Sequence, residues 1–179
     1  GGGGGGSFIG SGTSGGVTVT LKRNVFTNNS APSIGSGVFF DEAITASMTN
    51  DLVYKNLCSS NGAGIYIDGA GTTGPGSALT MTNVTVANHV CGGSTIHRER
   101  ASTVVMKNTI LHGNTTDLGS DGTGSISATY SKTSLSGTGN ITTDPQFVDA
   151  TNNDFHLKST AGHFTVGGWV TDATTSPAI

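Results

Sequence analysis

The sequence predicts an all-β solenoid, in which short strands stack as successive turns of one coil. Three observations predict this fold class. A short segment recurs four times, apolar and polar residues alternate within each copy, and Gly, Ser, Thr and Asn fill the polar positions. The copies start at Leu21, Met48, Met81 and Met106, at offsets of 27, 33 and 25 residues. A repeat of this length is typical of stacked structural units.

The apolar residues of the four copies fall into columns. One column is formed by the starting residues, a second lies two residues before them, and a third lies five residues after them. The second column is Val19, Ala46, Leu79 and Val104, and the third is Phe26, Val53, Val86 and Leu111. A spacing of two places alternate side chains on one face, as in a strand. Equivalent residues of neighbouring coils are then expected about 4.8 Å apart, in apolar rows inside the stack.

A fourth column is polar, and we call it the amide column. It comprises Asn29, Asn56, His89 and Asn114. Amides stacked at strand spacing can hydrogen-bond to the amides above and below them. Asn also tolerates the left-handed backbone conformation that a sharp corner needs. We therefore expect a structural ladder at a corner of the coil, with His89 bonded to its neighbours rather than binding a ligand.

Composition narrows the possible partners. The chain has 179 residues, a net charge of −3, 29 glycines and only 11% charged residues. Nucleic acids and anionic membranes are bound through basic patches, so neither is expected as a partner. No apolar run approaches the length of about 20 residues that a membrane span needs. The chain opens on six glycines without an initiator Met. We therefore expect it to be a fragment of a larger protein.

The two cysteines, Cys58 and Cys91, are 33 residues apart, the same offset that separates Met48 from Met81. They therefore belong to one column on adjacent coils, where strand spacing would bring their Cα atoms within disulfide range. A disulfide is expected if the protein is exported to an oxidising compartment. The alternative is a pair of small buried thiols, in a column position that Ala31 fills one coil earlier.

Two parts of the sequence resemble known proteins. The coils resemble right-handed parallel β-helix proteins of the pectate-lyase-like superfamily, through the Met-Thr-Asn starts at Met48 and Met81, the amide column and the glycine-led strands at Gly35 and Gly62. The resemblance implies a right-handed parallel β-helix. Residues 140–149, 154–162 and 174–179 look like the end of bacterial surface β-helix proteins that carry a downstream sorting-anchor domain. This resemblance implies a secreted or cell-surface protein, and it implies no activity.

We divide the chain into β-helix coils over residues 1–130 and a C-terminal cap or extension over residues 131–179. The regular repeat ends after Asn114, and the last segment contains Phe164 and Trp169. Aromatic residues that follow the last coil indicate a lid over the open end of the stack, because solenoids need capped ends. The first residues resemble an uncapped coil, so end-to-end self-association, and with it a self-assembling filament subunit, is a further possibility.

The candidate site lies on an outer face. Aligning the strands that begin at Val38, Ile65 and Ser94 places Phe39 and Tyr66 in one outward row. Outward aromatic rings can stack against sugars. The alignment places Asp41, Asp68 and His97 in the next row. The charged residues Glu42, Arg98, Glu99 and Arg100 lie on adjoining loops, where they can extend a polar groove.

The row of Asp41, Asp68 and His97 is compatible with cation binding, with catalysis on a polysaccharide and with glycan binding. Asp41 and Asp68 can bind a calcium ion through oxygen, and otherwise the sequence indicates no cofactor. The two carboxylates can also act as an acid and base on a glycoside, with His97 beside them, as in a glycoside hydrolase. A polysaccharide lyase is the other enzymatic alternative, and the resemblance implies that it would need a positioned Arg or Lys base and a calcium cluster. No pectate-lyase signature is present, and turn residues of these types are common at strand ends. We therefore expect a structural or adhesive β-helix that binds polysaccharide or surface glycan without catalysis.

Overall fold

The computed structural model describes residues 5–9, 16–58, 60–71 and 74–179, which form an all-β structure. The strands are β1 (Gly6–Ile9), β2 (Thr18–Lys22), β3 (Val25–Thr27), β4 (Ser30–Ala31), β5 (Val38–Asp41), β6 (Thr45–Thr49), β7 (Leu52–Tyr54), β8 (Leu57–Cys58), β9 (Ile65–Ile67), β10 (Ala78–Thr82), β11 (Thr85–Ala87), β12 (Val90–Cys91), β13 (Ile96–Arg98), β14 (Thr103–Lys107), β15 (Ile110–His112), β16 (Leu118–Ser120), β17 (Ser125–Thr129), β18 (Phe147–Asp149), β19 (Asp154–Leu157), β20 (His163–Thr165) and β21 (Gly168–Val170). A 3-10 turn spans Ala150–Asn152. Within these ranges, no helix has both the length and the apolar character needed to cross a membrane.

Four parallel sheets are stacked along the chain. Sheet A contains β1, β5, β9, β13 and β16, and sheet B contains β2, β6, β10, β14 and β17. Sheet C contains β3, β7, β11 and β15, and sheet D contains β4, β8 and β12. We call one passage through sheets B, C, D and A a rung. From β2 the chain completes three such passages in the same order, and β14 to β16 then pass from sheet C to sheet A without a sheet D strand, an arrangement consistent with a parallel β-helix.

Strand pairing confirms the columns predicted from the repeat. In sheet B, Met48 lies between Leu21 and Met81, and Met81 pairs in turn with Met106. The three methionine side chains are fully buried. Inward residues of sheets A, B and C close the interior as one apolar cluster, which includes Val38, Phe40, Val53, Ile65, Ile67, Leu79, Val86, Ile96, Val104 and Leu111. Each rung therefore buries its inner face against the rungs beside it.

Left-handed residues turn the chain at two corners of the rung. Between sheets B and C the corner residues are Arg23, Asn50, Asn83 and Asn108, with φ of 57°, 56°, 54° and 49°. After sheet C they are Asn28, Lys55, Asn88 and Gly113, with φ of 56°, 52°, 56° and 66°. The amide column directly follows this second set. The expectation that the column itself supplies the left-handed residues is therefore wrong by one position.

The C-terminal part only partly forms the expected lid. Isolated bridges extend sheet C from Ile110 to Lys132 and on to Ile141, and Leu135 packs against the apolar cluster at this end of the stack. Phe164 and Trp169 instead pair with each other in the β20–β21 hairpin, where they are 69% and 64% exposed. They do not cover the interior, because other residues close it.

Aromatic residues of the C-terminal part cover the side of the stack. The Phe155 ring lies 5.3 Å from the Tyr54 ring, and the Phe147 ring lies 5.4 Å from the His112 ring, measured between centroids. Phe147 and Phe155 also contact each other at 5.2 Å. Residues 147–157 are thus held against the outer face of sheet C.

Candidate functional site

Sheet A fixes the register of the candidate site. Phe39, Tyr66, His97 and Gly119 pair in one row across β5, β9, β13 and β16. His97 therefore lies beside Tyr66, and its expected place in the row of Asp41 and Asp68 is wrong by two residues. Ile96 and not Ser94 pairs with Ile65, and it is fully buried there. A shift of two residues keeps the same side chains facing inward, so the alternating pattern is compatible with both registers.

One acidic residue ends or directly follows the sheet A strand in each of four rungs. Asp41, Asp68, Glu99 and Asp121 come directly after Phe40, Ile67, Arg98 and Ser120, which pair in this order. The backbone N–H groups of the last three acidic residues donate to the carbonyls of Phe40, Ile67 and Arg98 at 2.8, 2.8 and 3.0 Å. We call these four residues the acidic ladder. Strand spacing places neighbouring members about 4.8 Å apart along the stack.

The first two carboxylates of the ladder have protein partners. Asp41 accepts from the backbone N–H of Glu42 at 2.8 Å, and Asp68 accepts from the N–H of Gly69 at 2.7 Å. Asp68 also forms an ion pair with the Arg100 guanidinium. Burial raises the pKa of Asp41, and the charges of Asp68 and Glu42 raise it further, against the Glu42 hydrogen bond that lowers it. The hydrogen bond with Asp68 raises the pKa of Arg100.

The other two carboxylates converge on His97. Nε2 of His97 lies 3.2 Å from Oδ2 of Asp121 and 4.0 Å from Oε1 of Glu99. Glu99 Oε1 accepts a hydrogen bond from the Tyr66 hydroxyl. Burial, followed by this bond, raises the pKa of Tyr66 far above its usual range. On the other side of the ring, Nδ1 of His97 lies 2.9 Å from Oγ of Ser94.

The aromatic row is buried, contrary to expectation. Phe39 and Tyr66 are only 8% and 3% exposed. The Phe39 and Tyr66 rings lie 5.5 Å apart, and the Tyr66 and His97 rings stack at 5.3 Å. The row forms a second layer outside the apolar cluster, and its ring faces are occupied by one another. These rings are therefore not available to stack against a sugar.

A groove of about 430 Å³ runs beside the exposed end of the acidic ladder. Glu99 and Asp121 supply carboxylates to its wall, and Arg100 supplies a guanidinium. The remaining lining residues are small or polar: Gly74, Ala101, Gly122 and Thr123. The groove thus offers hydrogen-bond acceptors and one strong donor.

The amide column forms a continuous hydrogen-bonded chain. Asn56 Oδ1 accepts from the backbone N and from Nδ2 of Asn29, at 2.9 and 3.0 Å. Asn56 Nδ2 donates to the Phe26 carbonyl at 3.0 Å and lies 3.2 Å from His89 Nε2. His89 Nδ1 lies 3.0 Å from Asn114 Oδ1. Both ring nitrogens of His89 have partners inside the column, which matches the structural role assigned to it.

The cysteine pair lies in sheet D. Cys58 and Cys91 pair across β8 and β12, and they form a disulfide with a Cα–Cα distance of 4.9 Å. Ala31 pairs with Cys58 one rung earlier, as the column alignment predicted.

Asp121 is the site residue that sequence reasoning missed. It lies in a Gly- and Asp-rich segment with no visible repeat. The sequence predicts Glu99 on a loop next to the groove, and it does not predict Glu99 in the row of Asp41 and Asp68. An alignment of β9 and β13 that places the buried Arg98 opposite the inward Ile67 brings Glu99 next to Asp68. Each of the two aligned residues is directly followed by an acidic residue.

Comparison with known proteins gives a family match over the C-terminal third of the chain. A family described as “Disaggregatase related” matches residues 123–179. No curated protein and no solved structure matches the chain. The matched segment begins two residues after Asp121, so it contains β17 to β21 and none of the acidic ladder.

Proposed function

We propose that this chain is part of a secreted or cell-surface right-handed parallel β-helix that binds a glycan along the acidic ladder without cleaving it. The observation that carries the proposal is the ladder itself. Four carboxylates stand in register along one edge of the stack, with the Arg100 guanidinium among them and a groove at one end.

The chemistry of this edge suits a polyhydroxylated polymer. Ionised carboxylates accept several hydrogen bonds each, and a guanidinium only donates. Sugar hydroxyls both donate and accept, so they can satisfy both kinds of group. A repeating array of acceptors on a rigid sheet also suits a ligand that repeats along its length. The negative charge of the ladder disfavours nucleic acids, which are bound through cations.

Two findings support a location outside the cytoplasm. The Cys58–Cys91 disulfide is of a kind that persists in oxidising compartments and is rare in cytosolic proteins. The family match to “Disaggregatase related” proteins over residues 123–179 is compatible with a surface or secreted β-helix-like protein.

The hydrogen bonding within the ladder favours binding over cleavage. Asp68 is neutralised by Arg100, and Glu99 is held by the Tyr66 hydroxyl. A glycosidase needs one carboxyl group free to give a proton and another free to act as base or nucleophile. Carboxylates that are already paired serve better as fixed acceptors.

Glycan-array binding of the wild-type chain, compared with Arg100→Gln, tests this proposal. We expect binding of at least one polysaccharide and a loss of about tenfold or more in affinity in the variant, which corresponds to about 1.4 kcal/mol. Arg23→Gln is the matched control, because Arg23 is an exposed arginine at a corner with φ of 57°, close to the 55° of Arg100. Equal binding by wild type and Arg100→Gln would overturn the proposal.

Polysaccharide cleavage is the second candidate function, and the pKa of Asp41 favours it. A carboxyl whose pKa is raised by burial keeps its proton to higher pH, as a general acid requires. Asp68, one rung away, would then be the partner carboxylate. Reducing-end release that disappears in Asp41→Asn would replace the binding proposal with an enzymatic one. End-to-end self-association stays a prediction, which concentration-dependent sedimentation would test.

A further inference from the structure

We propose that His97, Glu99 and Asp121 form a binding site for a divalent transition-metal ion of the Zn²⁺ class. One imidazole nitrogen and two carboxylate oxygens lie within 4.8 Å of one another. They come from two neighbouring rungs, β13 with the residue after it and the residue after β16. The site would use one end of the acidic ladder, but its existence does not depend on glycan binding.

The distance from the imidazole to one carboxylate is already that of a tetrahedral zinc site, and the other ligand atoms lie within 4.8 Å. Zinc lies roughly 2.0–2.2 Å from nitrogen and oxygen ligands, so two ligand atoms of a tetrahedron lie roughly 3.3 Å apart. The 3.2 Å between His97 Nε2 and Asp121 Oδ2 already fits. The 4.0 Å between His97 Nε2 and Glu99 Oε1 must shorten by less than an ångström. The Glu99 side chain is 30% exposed, which leaves it room for this rotation.

The groups behind the ligands are arranged to orient them. A metal on Nε2 requires a proton on Nδ1, and Ser94 Oγ stands 2.9 Å from Nδ1 to accept it. Ser94 Oγ can donate its own hydrogen to Asn61 Oδ1 at 3.3 Å. The chain from His97 to Asn61 is then fully satisfied. Buried partners of this type fix the tautomer and orientation of metal-binding histidines.

Gly119 makes room for this arrangement. It pairs with His97 in the next rung, and a Cβ at position 119 would overlap Ser94 Oγ and lie 2.9 Å from His97 Nδ1. His97 is itself only 4% exposed, and Tyr66 stacks on its ring. The imidazole is therefore rigid and buried, whereas the Asp121 side chain is 72% exposed and open to the groove. Metal and water can enter from that side.

The ligand set favours zinc over calcium. Calcium takes six to eight oxygen ligands, and Mg²⁺ keeps an octahedral oxygen shell. Here three protein atoms converge, and one of them is an imidazole nitrogen, which suits Zn²⁺ and its neighbours in the first transition row. Three protein ligands with an open fourth position leave a coordination site for water or for a sugar hydroxyl.

Calorimetric titration of the chelator-treated full chain with Zn²⁺, in the absence of glycan, tests the site. We expect one equivalent of Zn²⁺ to bind to wild type and this equivalent to be lost in Asp121→Asn. Asp144→Asn is the matched control, since it removes an exposed carboxylate that lies outside the acidic ladder, and it should bind as wild type does. Co²⁺ should give the visible absorption of a tetrahedral site in wild type and lose it in Asp121→Asn.

Ser94→Ala provides a second test through the tautomer. It leaves all three ligands in place but removes the acceptor for Nδ1–H, so we expect Zn²⁺ affinity to fall roughly 10–100-fold. Circular dichroism would verify the fold of each variant. Unchanged Zn²⁺ binding in Asp121→Asn would place the metal elsewhere and overturn the proposal, as would the absence of Zn²⁺ binding to wild type or saturation by Ca²⁺ alone. Each of these three results would leave the glycan proposal standing.

Discussion

His89 is an imidazole in a column of amides, and its neighbours fix its protonation state. Nδ2 of Asn56 can only donate, so His89 Nε2 accepts and Nδ1–H donates to Asn114 Oδ1. Protonation would place Nε2–H against another donor in a fully buried site. The neutral imidazole thus replaces an amide in the column, because it offers one acceptor and one donor on opposite sides of the ring.

Stability should therefore depend on pH through His89. Burial lowers its pKa to about 4, from about 6.5 in the unfolded chain. The folded state binds this proton less readily than the unfolded chain does. The stability that neutral His89 contributes is therefore fully present above pH 6.5 and is lost as the pH falls from 6.5 to 4. The loss should approach about 3 kcal/mol in the free energy of unfolding. Urea denaturation at pH 7, 5.5 and 4 would measure it.

A His89→Asn variant separates this effect from other titrations. An amide at position 89 keeps a donor and an acceptor without a proton to gain, so the pH dependence between 6.5 and 4 should flatten. His156→Gln is the control, since the His156 side chain is 65% exposed and has no such constraint. A wild-type slope that His89→Asn leaves unchanged would contradict the explanation.

The sequence predicted single residues well where one physical demand dominated. The amide column and the pairing of Cys58 with Cys91 both follow from spacing, because neighbouring rungs place equivalent residues next to each other. The sequence failed for His97. Matching the glycine that precedes the strand suggested one register, but the strands pair two residues away from it, with Ile96 opposite Ile65. A shift of two residues keeps the same side chains on the inward face, so alternation does not distinguish the two registers.

At the scale of the element, the corners hold residues in an unfavourable backbone conformation. Lys55 has φ of 52° without the local side-chain bonding that lets Asn occupy this region. We expect Lys55→Gly to stabilise the chain by about 0.5–1 kcal/mol, because relief of steric strain exceeds the added backbone entropy of the unfolded state. A shift of the urea midpoint at an unchanged m value would show it.

A strand position gives the opposite expectation. Lys107 is an exposed lysine at the end of β14, where the backbone is extended. Lys107→Gly should destabilise the chain by about 0.5–1 kcal/mol, because glycine brings entropy without relieving strain. If both variants destabilised the chain equally, the corner at Lys55 would not be strained.

Strands were easier to predict than the connections between them. Alternation identifies β2, β6, β10 and β14, because their inward residues face one apolar interior. The corners follow no such rule, since Arg, Lys, Asn and Gly all occupy left-handed positions. The acidic ladder lies at such a connection. Asp121 could not be assigned to it before the path of the chain between β15 and β16 was known.

At the scale of the whole molecule, the C-terminal part is held to the stack by aromatic contacts. Phe155 lies between Tyr54 of sheet C and Phe147 of β18. We expect Phe155→Ala to weaken this docking by about 1–2 kcal/mol, since each aromatic contact is worth roughly 0.5–1.5 kcal/mol beyond its area. Hydrogen exchange within residues 144–179 should then rise about tenfold, while strands β6 to β14 keep their protection.

Phe164→Ala is the control for this experiment. Its ring is 69% exposed on the β20–β21 hairpin and takes no part in the ring contacts that join Phe155 to Tyr54 and Phe147. Exchange should stay at the wild-type rate. If Phe155→Ala instead increased exchange throughout the stack, the C-terminal part would be an integral portion of the folding unit rather than a docked extension.

The position of the C-terminal part was beyond sequence reasoning. Periodicity ends after Asn114, and no repeat relates β18–β21 to the rungs. The aromatic residues were recognised as covering groups, yet the surface they cover is the side of sheet C and not only the end of the stack. That choice depends on Tyr54 and His112, whose outward positions emerge only when the rungs are assembled.

The Cys58–Cys91 bond also sets how far the chain extends under tension. The bond joins residues 33 positions apart in sequence whose Cα atoms are 4.9 Å apart. A force applied to the two ends of the chain is carried by the disulfide bond. The residues between Cys58 and Cys91 are therefore not stretched. Roughly 110 Å of contour length is thereby withheld from stretching, at roughly 3.3–3.6 Å per residue. Reduction releases that length, so the redox state of its surroundings determines how far this chain extends under load.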